Sequence, residues 1–354
     1  MKAMLKTGVV LLVALVMGGP ASWAATADDL LDVAAGSAAR VFIEVEDTGD
    51  GNTRIPISVF KGTSEGPTLA LIAGTHGYEY APIVALQKVG MHIDPAELRG
   101  SLIIVHVANI PSFHGRTIYY SPVDGKNLNR AYPGKADGSL SERVAYEITT
   151  KVIEKADYVV DMHSGDGNEA LRPYIYMPRT GDAALDEKIK GMALAFGIDH
   201  IVIDEREVSS PDATVFTDMT ALSRGIPSMT TEAGQLGSTD PHWVDINVRG
   251  AFNLMRYLRM LPGEPIPPKP TVWLKDYQVI TSPEHGLFRP AVKDGYAIAE
   301  GGVLGELVDH FGTHIATIHA PFDGVINYVI ATPPVRAGEP LAMVSKLADE
   351  QTGE

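Results

Sequence analysis

The sequence predicts an α/β fold: a mixed, largely parallel sheet flanked by helices, followed by a small C-terminal all-β, barrel-like domain. Three observations carry that expectation. Over 41–260, short apolar or alternating runs of strand length take turns with helix-length segments, the pattern of βα units feeding a parallel sheet. Over 261–270 the chain reads LPGEPIPPKP, five prolines in ten residues, which makes a stiff spacer. Beyond it, 272–347 offers only short β-like runs separated by glycines, among them Gly286-Leu287-Phe288 and Ala320-Pro321-Phe322-Asp323-Gly324-Val325-Ile326. The division this implies is a leader over 1–24, a main α/β domain over 25–262, a linker over 263–270 and a C-terminal β domain over 271–354.

Taken in order, 25–39 reads as a short helix or arm. Residues 41–46 and 55–61 suit two strands joined by the Asp- and Gly-rich turn at 47–52. Residues 68–73 are a short, wholly apolar run, fitting a strand buried on both faces, with a helix after it over 80–92. A second buried strand, 102–107, leads into a long polar loop. Then come a helix over 142–155, a strand over 158–161 that stops at His163, a helix over 183–196 and a strand over 201–203. A helix over 215–223, a strand over 227–231 and a closing helix over 244–260 complete the α/β part.

The first 24 residues follow a different logic. Lys2 and Lys6 give a positive start, 8–17 is an uninterrupted apolar stretch, and Gly18, Gly19 and Pro20 break it ahead of Ser22-Trp23-Ala24. This is the pattern of a secretory signal peptide cleaved after Ala24, and ten apolar residues are too few to span the ~30 Å of a bilayer core. The expectation is an exported protein, periplasmic or secreted, with no membrane span in its mature form. The chain has no cysteine, so neither disulfides nor thiolate ligands are available, and a metal must be held by His, Asp or Glu. A formal charge of −15, becoming −17 once Lys2 and Lys6 are removed, with no basic run, argues against a nucleic-acid partner.

Chemistry gathers at strand ends. In open α/β sheets ligands collect beyond the carboxyl ends of the strands, and His76, His163 and Glu232 each follow a predicted strand there. His76-Gly77-Tyr78-Glu79 sets two ligands three residues apart at a strand-to-helix turn, a weak signal alone. With His163 added, two imidazoles and one carboxylate suit zinc with an open position, whereas magnesium and calcium prefer all-oxygen shells. Glu232 is placed to take a proton from water and return it to a leaving nitrogen. Asp161 reads either as a partner behind a metal ligand or, more readily, as a plain strand-end acid. The loop after the second buried strand carries Arg116 and Asn127-Leu128-Asn129-Arg130, whose guanidinium forks can hold a carboxylate or polarise a carbonyl.

In order, G-T-H-G-x-E at 74–79, N-x-N-R-x-x-P-G at 127–134, D-x-H-S at 161–164 and T-E-A-G at 231–234 together resemble the succinylglutamate desuccinylase/aspartoacylase family, a branch of the zinc carboxypeptidase clan. The resemblance spans about 69–234. It implies one Zn2+ on His76, Glu79 and His163, Glu232 as general base and acid, Arg116 polarising the scissile carbonyl, and Asn129 and Arg130 gripping a substrate carboxylate. The chain departs from the family at Tyr78, where a smaller polar residue is usual, and at Asn127, where many relatives have Asp. The C-terminal β region resembles a lipoyl/biotinyl-type barrel, but Gly324 follows Asp323 where a carrier has its lysine, so no covalent cofactor is expected. The expected partner is a small molecule with a free carboxylate; homo-oligomerisation is left open. Three activities fit the residues: a deacylase of small N-acyl amino acids, an exported carboxypeptidase trimming peptides or cell-wall fragments, and an inactive carboxylate-binding protein.

Overall fold

A computed structural model describes residues 30–266 and 270–349. The leader expected over 1–24 lies outside the described residues, as do 267–269 of the Pro-rich linker. The chain enters through two antiparallel strands, β1 (Ser37–Val45) and β2 (Thr53–Lys61), then β3 (Ser64–Ala73), α1 (Tyr80–His92), β4 (Arg99–Val105) and the short α2 (Ile110–Gly115). The helix or arm read over 25–39 is corrected where it is visible: no helix forms over 30–36, and β1 has already begun at Ser37, because 37–45 pairs residue for residue with 53–61.

After the long loop come α3 (Leu140–Lys151), β5 (Tyr158–His163), β6 (Glu169–Leu171), β7 (Tyr174–Pro178), α4 (Ala183–Phe196), β8 (His200–Asp204), α5 (Thr217–Leu222), β9 (Ser228–Glu232) and α6 (Pro241–Tyr257). The C-terminal part contributes β10 (Val272–Thr281), β11 (Gly286–Pro290), β12 (Ala297–Ile298), β13 (Val303–Val308), β14 (His314–His319), β15 (Gly324–Ile330), β16 (Pro334–Val335) and β17 (Pro340–Ala348).

The main sheet is mixed and runs β1-β2-β4-β3-β5-β9-β7-β8-β10-β17-β15-β12, with β6 pairing β15. Its centre is parallel: β4, β3, β5 and β9 lie side by side in one direction. Those strands are apolar along their whole length because both faces are covered. Leu69, Leu71, Leu102, Ile104, Val160 and Met162 face α1, α4 and α6. The intervening Ala70, Ile72, Ile103, Val105 and Val159 face the side holding α3, the two-residue alternation of a pleated strand. Strand β10 pairs parallel with β8, and β17 and β15 follow it antiparallel, so the sheet of the α/β part continues into the C-terminal residues. Strands β14-β13-β11-β16 form a separate antiparallel sheet that shares an apolar core with β15 and β17, where Phe288, Leu304 and Leu307 meet Ile326 and Leu341.

Candidate active site

The adjacent strands β3, β5 and β9 end at one level. Ala73 pairs with Met162 and His163 with Glu232. Neighbouring strands lie ~4.8 Å apart, so this register alone sets His163 beside Glu232. Beyond β3 the chain turns through Gly74, whose φ of +72° lies in the left-handed region. His76 stands in this turn and Glu79 caps the start of α1. Gly77 is required by contact: a Cβ there would sit 2.1 Å from the backbone N of Phe113, so only glycine lets the turn lie on α2.

Both imidazoles offer Nδ1 to one carboxylate. Glu79 Oε1 is 2.7 Å from His76 Nδ1, and Glu79 Oε2 is 2.8 Å from His163 Nδ1. The two rings lie 5.0 Å apart. Each Nε2 is held from behind, His76 by Asn127 Oδ1 at 3.0 Å and His163 by Asp161 Oδ2 at 2.8 Å. Asp161 is therefore not the plain strand-end acid read from sequence: it is wholly buried and orients a ring. Thr75 Oγ1 donates to its other oxygen. Ser164 N–H donates to Glu79 Oε2, and Glu79 is only 3% exposed.

Burial opposes charge on the imidazoles, yet Glu79 beside His76, and Asp161 with Glu79 beside His163, hold both above the ordinary histidine range. Burial also acts to raise Glu79, but the two imidazoles outweigh it and bring its pKa down to about 2. The cluster thus favours positive charge between its three side chains. Among the described residues, His76, Glu79 and His163 are the one group of His, Asp and Glu compact enough to hold an ion, with donor atoms within 4.8 Å of one another. Two imidazoles braced through their far nitrogens, plus one carboxylate, are a donor set that fits a zinc-like cation with a free position.

A cavity of about 470 Å³ opens on this cluster. His76, Glu79 and Glu232 line it together with Tyr119, Lys126, Asn127, Arg130, Glu169 and, from the C-terminal part, Tyr328 and Glu339. Burial, reinforced by Glu79, Glu169 and Asp161 against the pull of His163, raises the Glu232 pKa well above the usual carboxylate range. Arg130 lays its guanidinium over the Phe216 ring at 4.4 Å and donates from Nη1 to the Asn129 carbonyl at 2.7 Å, and no carboxylate pairs with it among the described residues, so its charge at the cavity is not neutralised. Lys126 is already paired with Glu142 at 2.8 Å.

Two expected residues are not brought in. Arg116 is the exposed, left-handed C-cap of α2 and does not line the cavity. Asn129 turns its Oδ1 to Thr217, accepting from its N–H at 3.1 Å and its hydroxyl at 3.2 Å, and thereby braces the turn that carries Arg130. Sequence reasoning missed Tyr119, Glu169 and Tyr328. Glu169 and Tyr119 lie in loop-like stretches without a motif, and Tyr328 reaches the cavity from about a hundred residues beyond Glu232. The depression of about 480 Å³ around Arg172, Phe196, Trp243 and Arg249 holds none of the motif residues.

A braced His-Glu-His group that could hold a metal and a half-buried acid at the strand ends of an α/β sheet make a site suited to hydrolysis. Residues 65–258, more than half of the chain, match the model of the succinylglutamate desuccinylase/aspartoacylase catalytic domain, and the chain belongs to that family. It is 29% identical over 337 residues to the N-alpha-acetyl-L-2,4-diaminobutyric acid deacetylase of Halomonas elongata, a match covering 93% of this chain and 96% of that protein. Among solved structures, a succinylglutamate desuccinylase/aspartoacylase from Rhodobacter sphaeroides superposes with a TM-score of 0.78 at 25% identity, covering 90% of this chain and 98% of the other. The product-bound ectoine utilization protein EutE (DoeB) of Ruegeria pomeroyi gives 0.78 at 26% identity, covering 87% and 95%.

Proposed function

We propose that this chain is an exported, zinc-dependent hydrolase that removes the acyl group from a small N-acyl amino acid. The observation that carries the reading is the convergence of His76 Nδ1, His163 Nδ1 and the Glu79 carboxylate, each imidazole braced from behind, with Glu232 paired opposite His163. Membership of a family with deacylase relatives supports it, and the leader pattern over 1–24 supports export.

His76, Glu79 and His163 would hold the zinc, which would supply Lewis acidity to the scissile carbonyl and to an attacking water. Glu232 takes the proton from that water and hands it to the amide nitrogen as the C–N bond breaks. The raised pKa suits the second half of the cycle, since it lets the carboxyl hold the proton until the amine leaves. Arg130 receives the substrate carboxylate with the guanidinium N–H groups not spent on the Asn129 carbonyl, and Asn129 positions the turn that presents it. A cavity of about 470 Å³ is of a size for a small acyl amino acid, which supports this reading beside the carboxypeptidase alternative.

The test pairs metal content with turnover. Glu232→Gln keeps zinc and loses 10²-fold or more, on the order expected for a general acid–base group. His163→Ala loses the metal. Turnover close to that of the unaltered protein in Glu232→Gln, or full zinc occupancy in His163→Ala, refutes the assignment. A panel of N-acyl amino acids against C-terminal peptides, scored by kcat/KM, decides between deacylase and peptidase.

A further inference from the structure

The Phe216 ring carries a second guanidinium besides that of Arg130. Arg206 lies over the same ring, also 4.4 Å from its centroid. A cation over an aromatic face is attracted by the ring's quadrupole, and a planar guanidinium can also stack on it. Arg206 does not line the cavity, and its charge is already matched. Its Nε is 2.9 and 2.7 Å from the two oxygens of Asp204, its Nη2 bonds the same carboxylate, and that Nη2 lies 3.7 Å from Asp218 Oδ2. Both acids are buried, Asp204 fully and Asp218 to within 2%. Among the described residues no hydrogen bond reaches Asp218 Oδ2, so the Arg206 charge is what offsets its burial.

Three parts of the fold meet at this ring. Asp204 ends β8, Asp218 stands in the first turn of α5, and Phe216 caps the start of that helix. Arg206 therefore ties a strand end to a helix start, with Phe216 against its guanidinium. The turn bearing Arg130 is anchored to the same helix start, because Asn129 Oδ1 accepts from both the N–H and the hydroxyl of Thr217, the residue after Phe216. Arg130 is thus held at two points, its turn by Thr217 and its guanidinium by the Phe216 ring. The two arginines differ in one respect: two carboxylates face Arg206, whereas none pairs with Arg130 among the described residues. A long side chain held in its binding pose loses less freedom when its ligand arrives.

We propose that Arg206 and Phe216 are positioning residues for carboxylate recognition: Arg206, locked between Asp204 and Asp218, fixes the Phe216 ring, and the ring sets the direction in which Arg130 presents its guanidinium to the cavity. This inference rests on the deacylase reading, in which Arg130 receives the substrate carboxylate. Neither residue touches the reacting atoms. Both act on the affinity for the carboxylate and take no part in the bond-breaking step.

The experiment uses the zinc-loaded full chain and two compounds: the N-acyl amino acid that the unaltered protein turns over fastest, and the same molecule with its carboxylate replaced by a primary amide. The unaltered protein is expected to favour the acid by roughly tenfold to a hundredfold in kcat/KM, the range of one charged hydrogen-bonded contact. Phe216→Leu should cut that preference about threefold to tenfold, the range of a cation–π contact, through KM for the acid rather than kcat. Phe216→Tyr keeps the ring and should restore it. Arg206→Lys keeps a charge beside Asp204 and Asp218 but loses the planar fork, and should lower the preference at least about twofold. A Phe216→Leu or Arg206→Lys protein with the full preference overturns the proposal. So does one that slows acid and amide by a single factor, the mark of a purely structural role. Both results leave the deacylase reading standing. An unaltered protein indifferent to the carboxylate removes Arg130 as its receiver and the proposal with it, and this comparison needs no variant to fold. No turnover of any N-acyl amino acid removes the deacylase reading and the proposal together.

Discussion

At the scale of single residues, the two imidazoles of the cluster are braced unequally. His163 Nε2 meets a buried carboxylate, Asp161, whereas His76 Nε2 meets a neutral amide, Asn127. A carboxylate behind a ligating histidine fixes its tautomer and raises its basicity, and such partners matter nearly as much as the ligands. Asp161→Asn keeps the shape and removes the charge. It should weaken zinc binding about 10- to 100-fold, measured by competition with a chelator, while leaving the fold's far-UV circular dichroism unchanged. An affinity equal to that of the unaltered protein would mean that Asp161 serves the strand and not the metal. The departure at Asn127 has a structural meaning too. Its Oδ1 also accepts from Asn129 N–H at 2.9 Å, so one amide oxygen holds both the His76 ring and the turn bearing Arg130.

At the scale of elements, the site depends on a turn that only its glycines permit. The β3-to-α1 turn lies on the first residues of α2, and α2 is itself anchored by its Asn109 cap, whose side chain accepts from Ser112 N–H at 3.2 Å. A methyl group at position 77 would meet Ser112 and Phe113 backbone at 2.3 and 2.1 Å, so one of the two elements must move. Gly77→Ala is therefore expected to lower stability by about 1–3 kcal/mol, the scale of overpacking. It should also reduce zinc occupancy, because His76 and Glu79 flank the displaced residue. Denaturant melts and metal analysis of the same sample check both effects; a Gly77→Ala protein with unaltered melting and full zinc would show the turn has slack. The 142–155 helix expected from sequence begins instead at Leu140, behind a Ser139–Glu142 capping box, and its tail is a separate 3-10 turn over Ile153–Lys155. Sequence periodicity locates the helix body well but blurs its ends, where side-chain caps decide.

At the scale of the whole molecule, one sheet ties the α/β part to the C-terminal strands, and Tyr328 and Glu339 reach the cavity from the far end of the chain. A shared sheet favours a single cooperative unfolding step, and its pH dependence has an identifiable contributor. His106, just past β4, has its Nε2 2.7 Å from Ser58 Oγ while its Nδ1 is buried without a partner. Burial, helped by the charge of Arg40, brings its pKa down to about 4 from 6.5. The unfolded chain then binds the proton more readily than the folded one. The stabilisation from keeping this ring neutral is complete above pH 6.5 and is lost as pH falls toward 4, at most about 3 kcal/mol in all. His106→Gln retains a hydrogen-bonding side chain for Ser58 and cannot be protonated. The drop in Tm between pH 7 and pH 4.5 should be smaller in this variant than in the unaltered protein, and equal drops would place the acid sensitivity elsewhere.

By itself the sequence determined the local facts: buried strands as apolar runs, helices such as Ala183–Phe196 at their observed ends, and the four motifs whose histidines and acids close the central strands. These are readable because strand pleat, helix period and turn glycines act over a few residues at a time. The sequence also pointed to Arg116, which the fold leaves exposed at the end of α2, and left Asp161 between a strand-end acid and a partner role, where the fold sets it behind His163. Only the tertiary structure decided those two, along with the Glu169, Tyr119 and Tyr328 corner and the extension of the main sheet into β10, β17 and β15. The physical reason is the same in each case. Which side chains share a cavity depends on strand register and chain crossings between segments dozens to hundreds of residues apart, and no local period encodes that distance.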